Sequence, residues 1–332
     1  MTSERKNKLV PISEEVWRDL VKLSESFSSK SPPIDLEEYA NDVGIQHVRF
    51  KPLISDAGLA KKVDRYEVIV NTEAPGVTQP AETTASVGDG TWSKFQPSLR
   101  FTVAHEIAHA FFLRATERAK EGDLLERNRP DVEEACKNLA RLMLLPRRVL
   151  IREMAEGLVE VDHLYKLIAA FHVSPEVFLR RFHLSDMNRQ DAKLDGFVAF
   201  IKEEKNGRLH IKAAHVFGTH ASDRFHRALQ RANPSSKRKK VKFLGLSDSY
   251  RQTTWALEGM AVNDVKLDKN KDIESVLRSA ESDQFDLDVG WGDGEVIPCN
   301  LAFRRIHRQP LGFLVRVQVL GPVQKPGQKT FF

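Results

Sequence analysis

Two histidines and a glutamate in one short stretch have the spacing of a hydrolytic metal site. His105, Glu106 and His109 form the pattern H-E-x-x-H within the largely apolar segment 101–112. On an α-helix, residues four apart leave the same face, about 6 Å apart along the axis. Two such imidazoles can bind one Zn²⁺ ion, and the glutamate beside them can act as a general base. The alternative is a core helix whose histidines only form hydrogen bonds, but the apolar, small-residue setting favours the metal.

A catalytic zinc site needs a third protein ligand, and a second predicted helix offers carboxylates. Pro130 and Asp131 are typical of a helix start, and apolar residues follow at helical spacing. Glu133 lies three residues before Cys136, so the two share roughly one face and Glu133 can reach the metal. Glu134 is interpreted as a solvated carboxylate. The sequence therefore favours Glu133 over Glu134 as the third ligand.

Together these motifs resemble the ImmA/IrrE family of zinc metallopeptidases. The shared features are Arg-Phe-Thr-x-Ala leading into H-E-x-x-H and, some two dozen residues later, Glu-x-x-Cys-x-x-Leu-Ala ending in Leu-Leu-Pro. The resemblance covers residues 35–185 and implies a zincin-like domain with His105, His109 and Glu133 as the zinc ligands. Lys137 departs from the asparagine that the family usually has directly after the cysteine. The resemblance also implies a protein substrate, typically a helix-turn-helix repressor whose cleavage derepresses stress, phage or mobile-element genes.

Length and composition indicate a soluble protein with room for two domains. The 332 residues are 41% hydrophobic and 29% charged, which is enough for a sizeable core. No apolar run approaches the ~20 residues of a membrane span, and the first residues lack the apolar region of an export signal. Cys136 and Cys299 do not make a disulfide framework. We therefore expect a cytoplasmic protein.

The expected fold class is α+β, with a peptidase domain followed by a β-rich domain. In the second half, Asn206-Gly207 between two strand-like runs is a strong hairpin signal, and further strands are predicted at 255–262, 297–305 and 312–320. Some longer members of the family carry a GAF-like sensor domain in this position, so a regulatory or binding role is expected. The predicted parts are an N-terminal helix and linker at 1–34, the zinc metallopeptidase domain at 35–185, the β-rich domain at 195–322 and a tail at 323–332.

Two segments before the zinc-binding helix are candidates for shaping a cleft. The strand-like run Val68–Val70 could form a sheet edge that pairs with an extended substrate, or it could be an ordinary core strand. The segment 73–98 is rich in Gly, Pro, Ser and Thr and is longer than a typical loop. It could act as a lid anchored by Trp92 and Phe95, or it could be a simple insertion.

A second function class follows from possible contacts with nucleic acid. Residues 161–182 have a helix-turn-helix pattern, whose second helix ends in Arg180 and Arg181, and 224–242 is a concentrated basic patch. A helical pair that completes the peptidase fold and a solvated loop are the alternatives. The rival function is a DNA-binding transcriptional regulator with a structural or sensing zinc site. Glu106 discriminates between the two classes, because a purely structural site has no use for a carboxylate beside the zinc ligands.

Overall fold

A computed structural model gives the structure of the chain. It describes residues 17–22, 31–61, 65–74, 77–78, 83–119, 130–154, 160–182, 196–217, 273–290, 296–308 and 310–320. The predicted basic patch at 224–242, the predicted strand at 255–262 and the tail at 323–332 lie outside the described residues. None of the helices in the described ranges has the length and apolar content needed to span a bilayer.

Contacts along the chain define two compact units. The first comprises Met1–Arg152 with Ala170–Ser174, and the second comprises Glu153–Ala169 with Pro175–Phe332. Most of the helical pair predicted at 161–182 thus groups with the β-rich half of the chain. The predicted domain boundaries stay predictions.

A four-stranded sheet forms one layer of the first unit. Strand β1 (Ile45–Lys51) lies in the interior, parallel to β3 (Tyr66–Asn71) and antiparallel to β4 (Thr84–Ser86). Strand β2 (Ala57–Lys61) pairs antiparallel with β3, which gives the order β2-β3-β1-β4. Within the described residues, β2 is therefore an edge strand.

The predicted sheet edge at Val68–Val70 is wrong. This run belongs to β3, where Val68 lies opposite Leu59 of β2 on one side and opposite Val48 of β1 on the other. Both Val68 and Val70 are fully buried. A run of β-branched residues marks a strand that is buried on both faces, but it does not reveal which strands will flank it. The alternative of a core strand is the correct one.

Three helices of the first unit carry or support the predicted site. Helix α1 (Leu36–Asp42) begins where the Asp35 side chain accepts a hydrogen bond from the Glu37 N–H at 2.8 Å, as expected for an N-cap. Helix α2 (Pro97–Ala119) holds the H-E-x-x-H pattern and packs against β2 and β3 on one side and α3 (Pro130–Leu144) on the other. Helix α3 is followed by α4 (Arg147–Met154).

The segment before α2 packs into the core of the first unit over residues 83–98. Trp92 and Phe95 are almost fully buried, their rings stack at 6.1 Å, and the Trp92 indole N–H donates to the Ala85 carbonyl at 3.3 Å. The Phe95 ring also meets the edge of Phe50 at 6.0 Å. The two residues are thus anchors, and opening this segment would expose both rings. Its role as a lid stays a prediction.

A five-stranded antiparallel sheet dominates the second unit. Its strands are β5 (Gly196–Glu203), β6 (Leu209–Phe217), β7 (Ser282–Gly290), β8 (Val296–Arg308) and β9 (Leu311–Val319), and the unit also contains the helix α7 (Ile273–Ser279). The strand order is β6-β5-β9-β8-β7, and apolar side chains of the sheet pack against α7. The predicted hairpin is confirmed: β5 and β6 are joined through Asn206-Gly207, with Gly207 at φ +77°. Mixed helices and two sheets confirm the α+β class, while the GAF-like assignment stays a prediction.

The helical pair predicted at 161–182 is present as α5 (Val161–Phe171) and α6 (Pro175–Phe182), and its two terminal arginines face protein groups. Arg180 donates to the Glu176 carboxylate at 3.1 Å and to the Lys212 carbonyl at 3.2 Å. Arg181 is only 1% exposed. A side chain this buried cannot reach a phosphate from its place in this structure. The phosphate contact that was one alternative for Arg181 is therefore not supported, because this arginine packs inward.

Candidate metal centre

Helix α2 presents the two histidines of the motif side by side. The Nε2 atoms of His105 and His109 are 3.1 Å apart, and the ring planes meet at 85° with centroids 4.6 Å apart. The helix is held in place by side chains that are buried on its other faces, namely Val103, Ala104, Ile107, Ala108 and Phe111. Small residues at 104 and 108 let neighbouring elements approach the backbone closely. Both imidazoles therefore project towards the same point.

Glu133 of α3 reaches this point from the neighbouring helix. Its carboxylate oxygen Oε2 lies 3.3 Å from Nε2 of His105, and its other oxygen, Oε1, lies 3.2 Å from Nε2 of His109. Donor atoms about 2.0–2.1 Å from one tetrahedral ion lie about 3.3–3.4 Å from one another. The three side chains thus have the mutual distances of a shared-ion site, and they form a group that could hold a metal ion.

The adjacent carboxylate, Glu134, points elsewhere. It lies 3.5 Å from a guanidinium nitrogen of Arg141, whose same nitrogen also donates to the Asn138 amide oxygen. Neighbouring residues on a helix project about 100° apart, so only one of the pair can face the histidines. The structure brings His105, His109 and Glu133 together, as the sequence predicts, and separates Glu134 from them.

His109 is oriented by a contact that the sequence analysis did not identify. The Cys136 sulfur lies 3.4 Å from Nδ1 of His109. Burial, followed by the carboxylates Glu133 and Glu106, raises the pKa of Cys136 well above its ordinary value, so the thiol stays protonated. Its sulfur can accept a hydrogen bond from the Nδ1–H of His109, which leaves the Nε2 lone pair for a metal. The spacing Glu-x-x-Cys places Cys136 on the right face, but the contact depends on how α2 and α3 pack.

His105 is held by ring packing. Its Nδ1 atom is buried and has no hydrogen-bond partner among the described residues, while its ring stacks on Phe101 with centroids 6.4 Å apart. The Arg141 guanidinium lies over the same phenyl ring at 5.8 Å. Burial, and then the positive charges of His109, Lys137 and Arg141, lower the pKa of His105 to about 3. The imidazole is therefore neutral near pH 7, which is the form that binds a metal.

An open cleft of about 530 Å³ surrounds the three candidate ligands, all within the first unit. Its lining comprises residues 55–59, Phe101, Thr102, Lys137 and the four predicted site residues. Glu106 is 7% exposed and borders this cleft beside the histidines. The edge strand β2 contributes to one wall, which the sequence did not indicate. Lys137 could have been found, because it lies four residues after Glu133 and hence on the same helical face.

Two imidazoles and a carboxylate at one point of a cleft, with a second glutamate beside them, define a site of the metallopeptidase class. Comparison with known families agrees: residues 95–183 match the family of the IrrE N-terminal-like domain, Peptidase_M78. The resemblance to ImmA/IrrE metallopeptidases is thereby confirmed for this segment, which holds α2 to α6. A search of curated proteins finds no match to the chain.

Proposed function

We propose that the protein is a zinc-dependent endopeptidase that cleaves a protein substrate. The observation that carries this proposal is the convergence of His105, His109 and Glu133 at hydrogen-bonding distances, with Glu106 in the same open cleft. Two nitrogen ligands and one carboxylate fit Zn²⁺ and leave a coordination position for the reaction. When bound, zinc would act as a Lewis acid that polarises the scissile carbonyl and activates water.

Glu106 is proposed as the general base and then the general acid. Its carboxylate lies in the cleft next to His105, where it can accept a proton from the attacking water and pass it to the leaving amine. It is not among the three groups that converge on the candidate metal position, so its proton-accepting capacity is not used in ligation. Cys136 supports this machinery by orienting His109.

The wall formed by β2 is proposed to bind an extended segment of the substrate. Among the strands of the described residues this one pairs only with β3, and its residues Ala57 and Gly58 line the cleft. The outer backbone groups of an edge strand can hydrogen-bond an added strand, and main-chain pairing of this kind gives affinity without demanding a particular sequence. The strand proposed to pair with an extended substrate is thus β2 and not the run Val68–Val70.

The proposed substrate is a helix-turn-helix repressor whose cleavage derepresses stress, phage or mobile-element genes, and the second unit is proposed to regulate the reaction. The family match at 95–183 supports this substrate class through the resemblance described above. The rival function of DNA-binding regulator has less support, because Arg181 is buried and Arg180 is bonded within the protein. Cytoplasmic location is part of the proposal, since such a substrate is found there.

Glu106→Gln gives the test of this function. The full-length protein and the variant are purified without chelator, their zinc content is measured, and each is incubated with candidate helix-turn-helix repressors, beginning with the products of neighbouring genes. Gln keeps the size of the side chain but cannot take a proton, so the variant should bind zinc like the wild type and leave the repressor intact. Cleavage by Glu106→Gln at the wild-type rate refutes the mechanism. A wild type with zinc bound, no cleavage and steeply salt-dependent DNA affinity favours the regulator instead.

A further inference from the structure

Lys137 is the one cationic side chain that lines the cleft within the described part of the chain. It follows Glu133 by four residues on α3, so both side chains leave the same face of the helix. The residue is half-buried, which places the ammonium group within reach of the cleft on a flexible four-carbon stem. Its position is the one at which the chain departs from the asparagine usual in the family.

The hydroxyl side chains of the cleft have their hydrogens in use, and its carboxylate side chains have none. The Ser55 hydroxyl donates to the Ala57 carbonyl at 2.9 Å, and the Thr102 hydroxyl donates to the Ser98 carbonyl at 3.1 Å. The carboxylates that line the cleft can only accept hydrogen bonds when ionised. They are Asp56, Glu106 and Glu133.

Lys137 differs from these groups because its ammonium hydrogens are not donated to any group among the described residues. No hydrogen bond or ion pair of Lys137 occurs among the described residues. Its place in the lining of the same cleft, one helical turn after Glu133, nevertheless brings its charge near the candidate metal position. A cation near three converging ligands weakens metal binding by repulsion, so it is not explained as part of the metal site.

We propose that Lys137 is a catalytic residue that stabilises the oxyanion formed during peptide hydrolysis, an inference that rests on the proposed peptidase function. As the water oxygen bonds to the carbonyl carbon, one water proton passes to Glu106 and the carbonyl π electrons move onto oxygen. The Lys137 ammonium donates a hydrogen bond to this oxyanion. The C=O bond then re-forms, the C–N bond breaks, and the proton on Glu106 passes to the leaving nitrogen, which gives a carboxylic acid and an amine.

Variants at position 137 distinguish a residue that stabilises the oxyanion from one that only supports the structure. Removing one oxyanion donor typically lowers kcat about 10²–10³-fold. Lys137→Met keeps the length of the side chain without its charge, and Lys137→Arg keeps a cationic donor. Lys166→Met, an exposed lysine on α5 outside the cleft, is the matched control. All variants should bind one zinc ion per chain, and Lys137→Met should bind it at least as tightly as the wild type because a repelling charge is gone.

The experiment measures inhibitor binding by calorimetry on zinc-loaded full-length protein. An N-phosphoryl dipeptide carries tetrahedral phosphoryl oxygens in place of the oxyanion, whereas a mercaptoacyl dipeptide binds zinc through sulfur and has no such oxygen. We expect Lys137→Met to weaken the phosphoryl dipeptide about 10²-fold and the thiol less than about threefold, with Lys137→Arg and Lys166→Met near the wild type.

The outcomes distinguish this inference from the proposed function on which it depends. If Lys137→Met weakens both inhibitors equally, or neither, Lys137 has no oxyanion role, while the peptidase assignment stands. If the zinc-loaded wild type binds neither inhibitor, the cleft does not bind peptides. Both the peptidase assignment and the proposed role of Lys137 are then refuted.

Discussion

Replacing Glu133 by alanine should remove one of three groups that converge on the candidate metal position. Its two carboxylate oxygens lie 3.2 and 3.3 Å from the Nε2 atoms of the two histidines. Among the described residues, no second carboxylate belongs to this candidate metal-binding group. Four-ligand zinc peptides bind the ion with about 10–16 kcal/mol at pH 7, which corresponds to about 3–4 kcal/mol for each ligand. A loss of this size is about a 10²–10³-fold weaker affinity for zinc.

Glu134→Ala is the matched control, because it removes the same side chain one position further along the helix. The half-exposed Glu134 carboxylate lies 3.5 Å from the buried Arg141 guanidinium, and it is not one of the groups that converge on the candidate metal position. We expect zinc affinity to change by less than about threefold in this variant. The contrast between the two alanines therefore reports which carboxylate is the ligand.

Competition with a chromogenic chelator at neutral pH measures both affinities on the full-length protein. Circular dichroism and thermal unfolding in the presence of chelator show whether each variant folds without metal, and zinc should raise the unfolding temperature of Glu134→Ala much more than that of Glu133→Ala. An equal loss of affinity in the two variants, or a larger loss for Glu134→Ala, would refute the assignment and require a different register of α3 against α2.

Three further predictions concern the other residues of the site. His105→Ala or His109→Ala should lose most of the zinc found in the wild type, and metal analysis that shows unchanged content would contradict the site. Cys136→Ala should weaken zinc binding by about 10-fold, because the Nδ1–H of His109 loses its hydrogen-bond acceptor. Chelator competition measures this loss, and the zinc affinity of Cys136→Ser should lie between those of the wild type and Cys136→Ala. In metal-free protein, the free energy of unfolding should decrease as pH falls from about 6.5 towards 3. Over this range His105 becomes protonated in the unfolded chain but stays neutral in the folded protein. Denaturant unfolding at several pH values should show a weaker decrease for His105→Asn, and equal slopes would contradict the low pKa.

The sequence predicted the parts of the site that lie within single helices. The spacing of His105 and His109 is a property of one helical turn, and the same holds for Glu133 and Cys136, so period and residue type were sufficient. The contact between Cys136 and His109 joins two helices, and no local pattern specifies how far one is shifted along the other. Long-range packing decides that distance.

Strand order and the burial of charge were the features that the sequence left open or indicated wrongly. The strand at Val68–Val70 was predicted correctly, but the two strands beside it, β1 and β2, contribute pairing residues some 9 to 20 positions away along the chain. Arg181 was a candidate for phosphate contact, yet it is 1% exposed on α6, and the sequence around it gives no sign that this arginine is buried. The basic patch at 224–242 lies outside the described residues, so its role stays a prediction.

The two histidines of the site are held by different means, and this difference bears on how the metal contributes to folding. His109 has the Cys136 sulfur behind it, whereas His105 relies on Phe101, whose ring also lies beneath the Arg141 guanidinium. A stacked ring fixes the plane of an imidazole but does not choose which nitrogen carries the proton. A metal at Nε2 would make that choice for His105 and would place its proton on Nδ1. Because the Cys136 contact already constrains His109, whereas His105 has a buried Nδ1 with no hydrogen-bond partner among the described residues, a bound metal should order the His105 ring more than the His109 ring.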